Sequence, residues 1–213
     1  MIRMRRTPVI GLIVGLVLLA AFGCRQIAKS SDVGVPNKPL PAVNPSEVQQ
    51  TDRQPLELPL DNPRILVRKA ARQLELYSGD TLLRTYKAGL GFSPVADKKH
   101  EGDGATPEGE FYVFVKNNRS AYYLSLGISY PNAEDADRGL RDGLISRVQH
   151  RAITEAIRKK TAPPQYTRLG GLIYIHGHGA RSDWTWGCVA LENEDIRELF
   201  DAVKVGTPVT ILP

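Results

Sequence analysis

Cysteine is nearly absent from this chain. Only Cys24 and Cys188 occur in 213 residues, so no disulfide framework holds the fold. Long apolar runs are missing too. The longest, "PVIGLIVGLVLLAAFG", covers residues 8–23. It falls short of the ~20 residues of a comfortable transmembrane helix. Strong charge of either sign is also lacking. The 28 Lys+Arg against 23 Asp+Glu give a formal +5, and removing residues 1–23 takes away Arg3, Arg5 and Arg6 and leaves only +2. A nucleic-acid-binding face needs concentrated basic charge, so that class is set aside. What remains is the composition of an ordinary globular protein, 42% hydrophobic and 24% charged.

The apparent basicity is partly a targeting pattern. Three arginines, the apolar run and small residues before Cys24 read as a secretory signal over residues 1–23. "AAFGC" resembles a bacterial lipobox, in which Cys24 is lipidated and becomes the first residue. An uncleaved anchor and ordinary secretion stay open. Arg25 follows Cys24. It is not the acidic residue associated with inner-membrane retention in some bacteria, which tilts a lipid-anchored protein toward the outer membrane. Residues 24–63, rich in Pro, Asn, Gln and Ser, read as a flexible linker. The domain is expected over 64–213.

Within it, "RILVRK", "RQLELYS", "TLLRTYKAGLG", "GEFYVFVKN", "YYLSLGIS" and "TPVTILP" are strand-like. "GGLIYIHG" reads as a strong buried strand, and "WGCVAL" as another. One helix is expected in 131–170, with a Ser146–Gln149 capping box and a stripe of Val148, Ala152, Ala156 and Ile157. A second is expected to be capped by Asn193, with Ile196, Leu199, Phe200 and Val203 at helical spacing. The fold class is therefore mainly β with α additions, a β-sandwich or barrel with inserted helices.

The chemistry concentrates in "IHGHGARSDWTWGCVAL", residues 175–191. A lipidated Cys24 leaves Cys188 without a partner, and an unpaired thiol in an exported protein asks for a role. A cysteine nucleophile needs a nearby base and donors for an oxyanion. His176 ends an apolar strand and is the candidate base. Gly187 allows close backbone approach, and the N–H groups of Gly187 and Cys188 are candidate oxyanion donors. Two other readings stand beside this one. Cys188 as a small buried hydrophobe needs no chemistry. His176 and His178, alternating on one strand, could chelate zinc with Cys188 or Asp183. His100 and His150 read as surface residues.

These residues resemble the L,D-transpeptidase catalytic domain (YkuD-like) of bacterial cell-wall enzymes. The pattern is a strand ending in His-Gly, a loop, then Ser/Thr-x-Gly-Cys and a hydrophobic residue. Here it stands as Ile175-His176-Gly177 and Thr185-Trp186-Gly187-Cys188-Val189. A second element, "GDGATPEGEF", supplies Gly102 or Gly104, Thr106, Pro107, Gly109 and Phe111. The resemblance covers about 64–212. It implies an L,D-transpeptidase-like β-sandwich or barrel, with Cys188 as nucleophile, His176 as general base and acid, and the Gly177 carbonyl orienting the imidazole. It implies peptidoglycan stem peptides as substrate and a thioester resolved by an amine or by water. No cofactor and no metal are implied. Tyr174, His178, Arg181, Thr185 and Trp186 are the candidate substrate contacts.

Two departures stand out. Many members carry His where this chain has Trp186, and Arg where it has Ala190. A branch of the form Trp-Thr-x-Gly-Cys-Ile/Val-Ala-Leu shares them. Arg181 or Arg168 is the expected substitute for the missing charge. The expected function is a murein L,D-transpeptidase on the periplasmic face, tethered by lipid. L,D-carboxypeptidase or endopeptidase hydrolysis, a zinc hydrolase and a non-catalytic wall-binding protein are the alternatives. The segment 130–170 is read as a lid over the cleft, with a structural elaboration as the equal alternative.

Overall fold

The computed structural model describes residues 54–213. The signal segment, Cys24 and most of the linker lie outside the described residues. Eight strands form the frame: β1 (Pro63–Arg68), β2 (Gln73–Ser78), β3 (Thr81–Lys87), β4 (Gly109–Ser120), β5 (Tyr123–Ile128), β6 (Tyr174–His176), β7 (Val189–Ala190) and β8 (Pro208–Leu212). Among the described residues three helices are added: α1 (Ala133–Arg141), α2 (Arg147–Lys159) and α3 (Asn193–Ala202). The strand order is β3-β2-β1-β8-β4-β5-β6-β7. It is a mostly β half-barrel with three helices.

The long β4 joins the two halves. Its first residues pair antiparallel with β8, with Phe111 opposite Val209. Its later residues pair with β5, with Asn117 opposite Ser125. The main core lies inside the curve, where Ile65, Leu74, Leu126, Ile175 and Val209 are buried. Ile196 and Leu199 of α3 complete it. Their spacing is the helical one expected for a buried stripe.

Several sequence expectations are corrected here. "GGLIYIHG" is not a long strand. Only Tyr174–His176 pairs, because Gly170 and Leu172 take positive φ (+90° and +55°) and break the extended run. The segment 131–170 holds two helices rather than one. α1 is polar and carries its own capping box, Asn132 with Asp135. The Ser146–Gln149 box of α2 is present. However, Val148 is 75% exposed while Ile153 is fully buried, so the helix is rotated from the expected stripe. Asn193 is not the cap of α3. Glu192 holds that position, and the Asn193 Oδ1 accepts the His178 N–H at 3.0 Å instead.

The segment is also not a lid in this conformation. Ala136, Ile145, Ile153 and Leu169 form a second small core, packed by Leu140, Leu144 and Ile157. The Tyr130 hydroxyl donates to the Leu169 carbonyl at 2.9 Å, and the Tyr112 hydroxyl donates to the Thr161 carbonyl at 2.7 Å. None of residues 130–170 lines the cleft around Cys188. They build structure beside it.

Candidate active site

β6 lies between β5 and β7, antiparallel to the first and parallel to the second. Ile175 sits opposite Val189, which sets Cys188 beside Tyr174. Tyr174 and His176 share a face because side chains alternate along a strand. The pairing therefore brings His176 and Cys188 to one side of the sheet, twelve residues apart in sequence. Both line a cavity of about 710 Å³.

Each group is held by specific bonds. His176 is buried, and its Nδ1 lies 2.7 Å from the Gly177 carbonyl oxygen. A carbonyl only accepts, so Nδ1 carries the proton and Nε2 keeps its lone pair. Tyr122 lies over the imidazole with ring centroids 4.6 Å apart and a 31° tilt, and Trp184 meets it edge-on at 5.5 Å. Cys188 Sγ accepts the Tyr174 N–H at 3.4 Å. Burial pushes the thiol up to about 11, against smaller opposing pulls from the Tyr174 N–H and the Lys98 ammonium. Burial likewise lowers the His176 imidazole below its usual range. The Gly177 carbonyl opposes that, and His178 adds to it. The resting pair is therefore a neutral thiol and a neutral imidazole.

The turn before the cysteine is tied by one hydroxyl. Thr185 Oγ1 donates to the Cys188 carbonyl at 2.7 Å and accepts the Gly187 N–H at 3.1 Å. Gly187 has φ +123°, and a Cβ there would come within 2.6 Å of the Ala105 carbonyl oxygen. Only glycine fits. The expected oxyanion pair is corrected accordingly. The Gly187 N–H is already taken by Thr185, while the Cys188 N–H makes no hydrogen bond among the described residues.

The loop 177–188 is pinned in its second half. Its Asp183 carboxylate accepts the Leu90 N–H at 3.0 Å and pairs with Arg72 at 2.9 Å. Thr185 exchanges backbone bonds with Leu90 and Phe92.

Of the predicted contacts, Tyr174, Thr185 and Trp186 line the cleft. Trp186 is 67% exposed and meets Phe92 edge-on at 4.3 Å. His178 and Arg181 do not line it. They face a neighbouring cavity of about 720 Å³ that shares Trp184 as its wall, because φ +77° at His178 turns the chain away. Arg168 is exposed and also absent from the cleft lining. His100 is exposed, and His150 pairs with Asp137 at 2.6 Å on the far helices. Among the described residues no three His, Cys, Asp or Glu side chains gather to hold a metal ion. The zinc reading therefore has no ligand set.

Sequence reasoning missed the opposite wall. Arg119, Tyr122 and Ser125 come from β4, β5 and the hairpin between them, and all three line the cleft. Ser125 stands directly across from His176 in the β5–β6 pairing. No local motif marks these residues. Their role follows only from a strand pairing about 50 residues apart in sequence.

No curated protein matches the chain at a significant level. Among solved structures it is similar to the helical cell shape determining protein Pgp2 of Campylobacter jejuni, at 22% identity and TM-score 0.46, over 71% of this chain and 48% of that one. It is also similar to L,D-transpeptidase 1 of Mycobacterium tuberculosis, at 16% identity and TM-score 0.42, over 72% of this chain and 62% of that one. This chain thus spans about half to three-fifths of the length of those structures. The family model of the L,D-transpeptidase catalytic domain matches residues 62–211, nearly the whole described domain, and the chain belongs to that family.

Proposed function

We propose that the protein is a cysteine acyl transferase of the L,D-transpeptidase type, acting on peptidoglycan stem peptides. The observation that supports it most is the His176 tautomer. With Nδ1–H committed to the Gly177 carbonyl, Nε2 is left as a base in the cavity that holds Cys188. Nε2 takes the thiol proton as Sγ attacks the stem carbonyl. The Cys188 N–H is the free donor nearest the developing oxyanion. The tetrahedral species collapses, the C–N bond breaks, and the imidazolium returns its proton to the leaving amine. The thioester is then resolved by an acceptor amine, giving a cross-link, or by water, giving a carboxypeptidase. Neutral resting groups suit this cycle, because the proton moves only when the substrate arrives.

The N-terminal pattern fits a lipid tether at Cys24, with residues 24–63 as a leash on the periplasmic face. That part rests on sequence alone, and Cys24→Ser tests it. Loss of membrane association and of a lipid mass increment is expected, and a membrane-bound variant would sink it.

Mass spectrometry of the protein with tetrapeptide muropeptides tests the reaction. An adduct on Cys188, lost in Cys188→Ala and blocked by a thiol alkylator but not by a chelator, is the expected result. Retained acylation in Cys188→Ala would overturn the assignment. The ratio of cross-linked to trimmed product separates transferase from hydrolase.

A further inference from the structure

Among the described residues, the cleft holds one permanent charge. Apart from His176 and Cys188, every side chain lining it is uncharged except Arg119. Among the described residues, no acidic side chain lines it. Arg119 itself is exposed, and among the described residues its guanidinium makes no ion pair or hydrogen bond; only its backbone N–H is engaged.

The backbone presents this side chain by design of the strand. β4 and β5 pair at Asn117–Ser125 and next at Ser120–Tyr123, so β4 carries an extra residue in that interval. Such a bulge bends the strand and re-aims a side chain. The Asn117 Oδ1 accepts the Arg119 N–H at 2.9 Å and fixes the bulge. The Ser120 Oγ accepts the Tyr122 N–H at 3.1 Å and fixes the turn that lays Tyr122 over His176. One hairpin thus delivers to the same cleft both the ring that covers His176 and a cation.

The opposite wall cannot supply that charge. Ala190, two residues after the cysteine, is fully buried between the His176 and Gly89 backbones. Alanine there carries no charge and is absent from the cleft lining. Arg181 faces the neighbouring cavity.

We propose that Arg119 is the carboxylate-binding residue of the cleft, fixing a carboxylate of the donor peptide near the scissile amide. This rests on the stem-peptide reading. An unpaired guanidinium in a cleft with no acid of its own selects an anionic partner, and its planar fork matches a carboxylate with two parallel bonds. A stem peptide offers two such groups, the terminal carboxylate of the residue that leaves and the free carboxylate of a diamino-acid side chain.

The test uses the full chain with Cys188→Ala, so that binding is read without turnover. Affinity for a tetrapeptide stem is measured by calorimetry with Arg119 intact and with Arg119→Gln. About 10-fold weaker binding is expected at low salt, the effect of one exposed charge-assisted pair, shrinking as salt rises. Arg119→Lys keeps the charge without the fork and is expected to fall between. Donors amidated at the terminal carboxylate or at the side-chain carboxylate identify the source. The donor that has lost the group read by Arg119 binds equally well to both forms.

Equal affinity of Arg119 and Arg119→Gln forms for the unmodified stem overturns the proposal. So does an equal loss with every donor, amidated or not, or no binding by either form. Because Arg119 is exposed, the variant is expected to unfold at the wild-type temperature. Absence of a thioester in the parent chain defeats the catalytic reading separately, while the binding comparison still decides Arg119.

Discussion

A thiol held near 11 by burial makes a definite demand on its own chemistry. The perturbation is pH, and the probe is alkylation of Cys188 by iodoacetamide, with no substrate present. At pH 7 a thiol of pKa about 11 is ionised in roughly one molecule in 10⁴, against about 3% for an ordinary cysteine near 8.5. The more basic thiolate regains about 10- to 20-fold in intrinsic nucleophilicity over that interval. The net expectation is alkylation about 20-fold slower than a free cysteine at pH 7. The rate then climbs about 10-fold per pH unit and does not level off before about pH 10. The lowered imidazole points the same way, because a neutral His176 offers no cation to hold a thiolate at neutral pH. Stopped-time alkylation read by intact mass gives the profile. A plateau already reached near pH 7 would mean a preformed thiolate–imidazolium pair. It would refute the claim that burial dominates this site.

Three further outcomes follow from the packing. Gly187→Ala adds a Cβ 2.6 Å from the Ala105 carbonyl oxygen at φ +123°, so a loss of about 2–4 kcal/mol in denaturant unfolding is expected; a loss under 1 would show that the turn can relax. Tyr122→Ala removes the ring that lies 4.6 Å over the imidazole. It is expected to lower the acylation rate constant about 10-fold, with Tyr122→Phe close to wild type, since the contact uses the ring face; equal rates for all three would deny the contact a role. Ile153→Ala opens the small core of α1 and α2 and should cost about 2–5 kcal/mol in a urea transition, with the Cys188 alkylation profile unchanged. A changed profile would couple that core to the cleft after all.

The pair proposed as nucleophile and base, Cys188 and His176, was legible because its geometry is nearly local. A strand end, a loop and a glycine before the cysteine lie within 175–191, and the β6–β7 pairing does the rest. The helix α2 was legible at its start, where Ser146 and Gln149 bond reciprocally. Its face was not. Val148 and Ile153 are both apolar, and only the packing against Leu169 and Ile145 decides which is buried. α1 was missed because "AEDADRGLR" is mostly polar, its apolar face reduced to Ala136 and Leu140, and its box uses Asn and Asp. Asn193 misled for a related reason. A good capping side chain was claimed by a loop from elsewhere, leaving Glu192 to start α3 without a side-chain cap. The Arg119 wall was invisible, since a bulge is a statement about two strands and not about one.

The two motifs read separately in the sequence meet in space. The "GDGATPEGEF" stretch places the Ala105 carbonyl against Gly187, and Thr106, fully buried, accepts the Gly91 N–H at 2.9 Å through its hydroxyl. Gly91 in turn has no room for a Cβ, which would come within 2.1 Å of the Gly104 carbonyl oxygen and 3.1 Å of Gly187 Cα. Three backbone segments thus close on one another at the turn that carries Cys188, and Thr185 ties that turn from within. Catalytic geometry must be held within fractions of an ångström, and backbone contacts of this kind do it with no side-chain rotamers to lose. The second motif therefore supports the first rather than adding chemistry of its own. That is why its residues touch the Cys188 turn while one wall of the cleft is drawn from the hairpin.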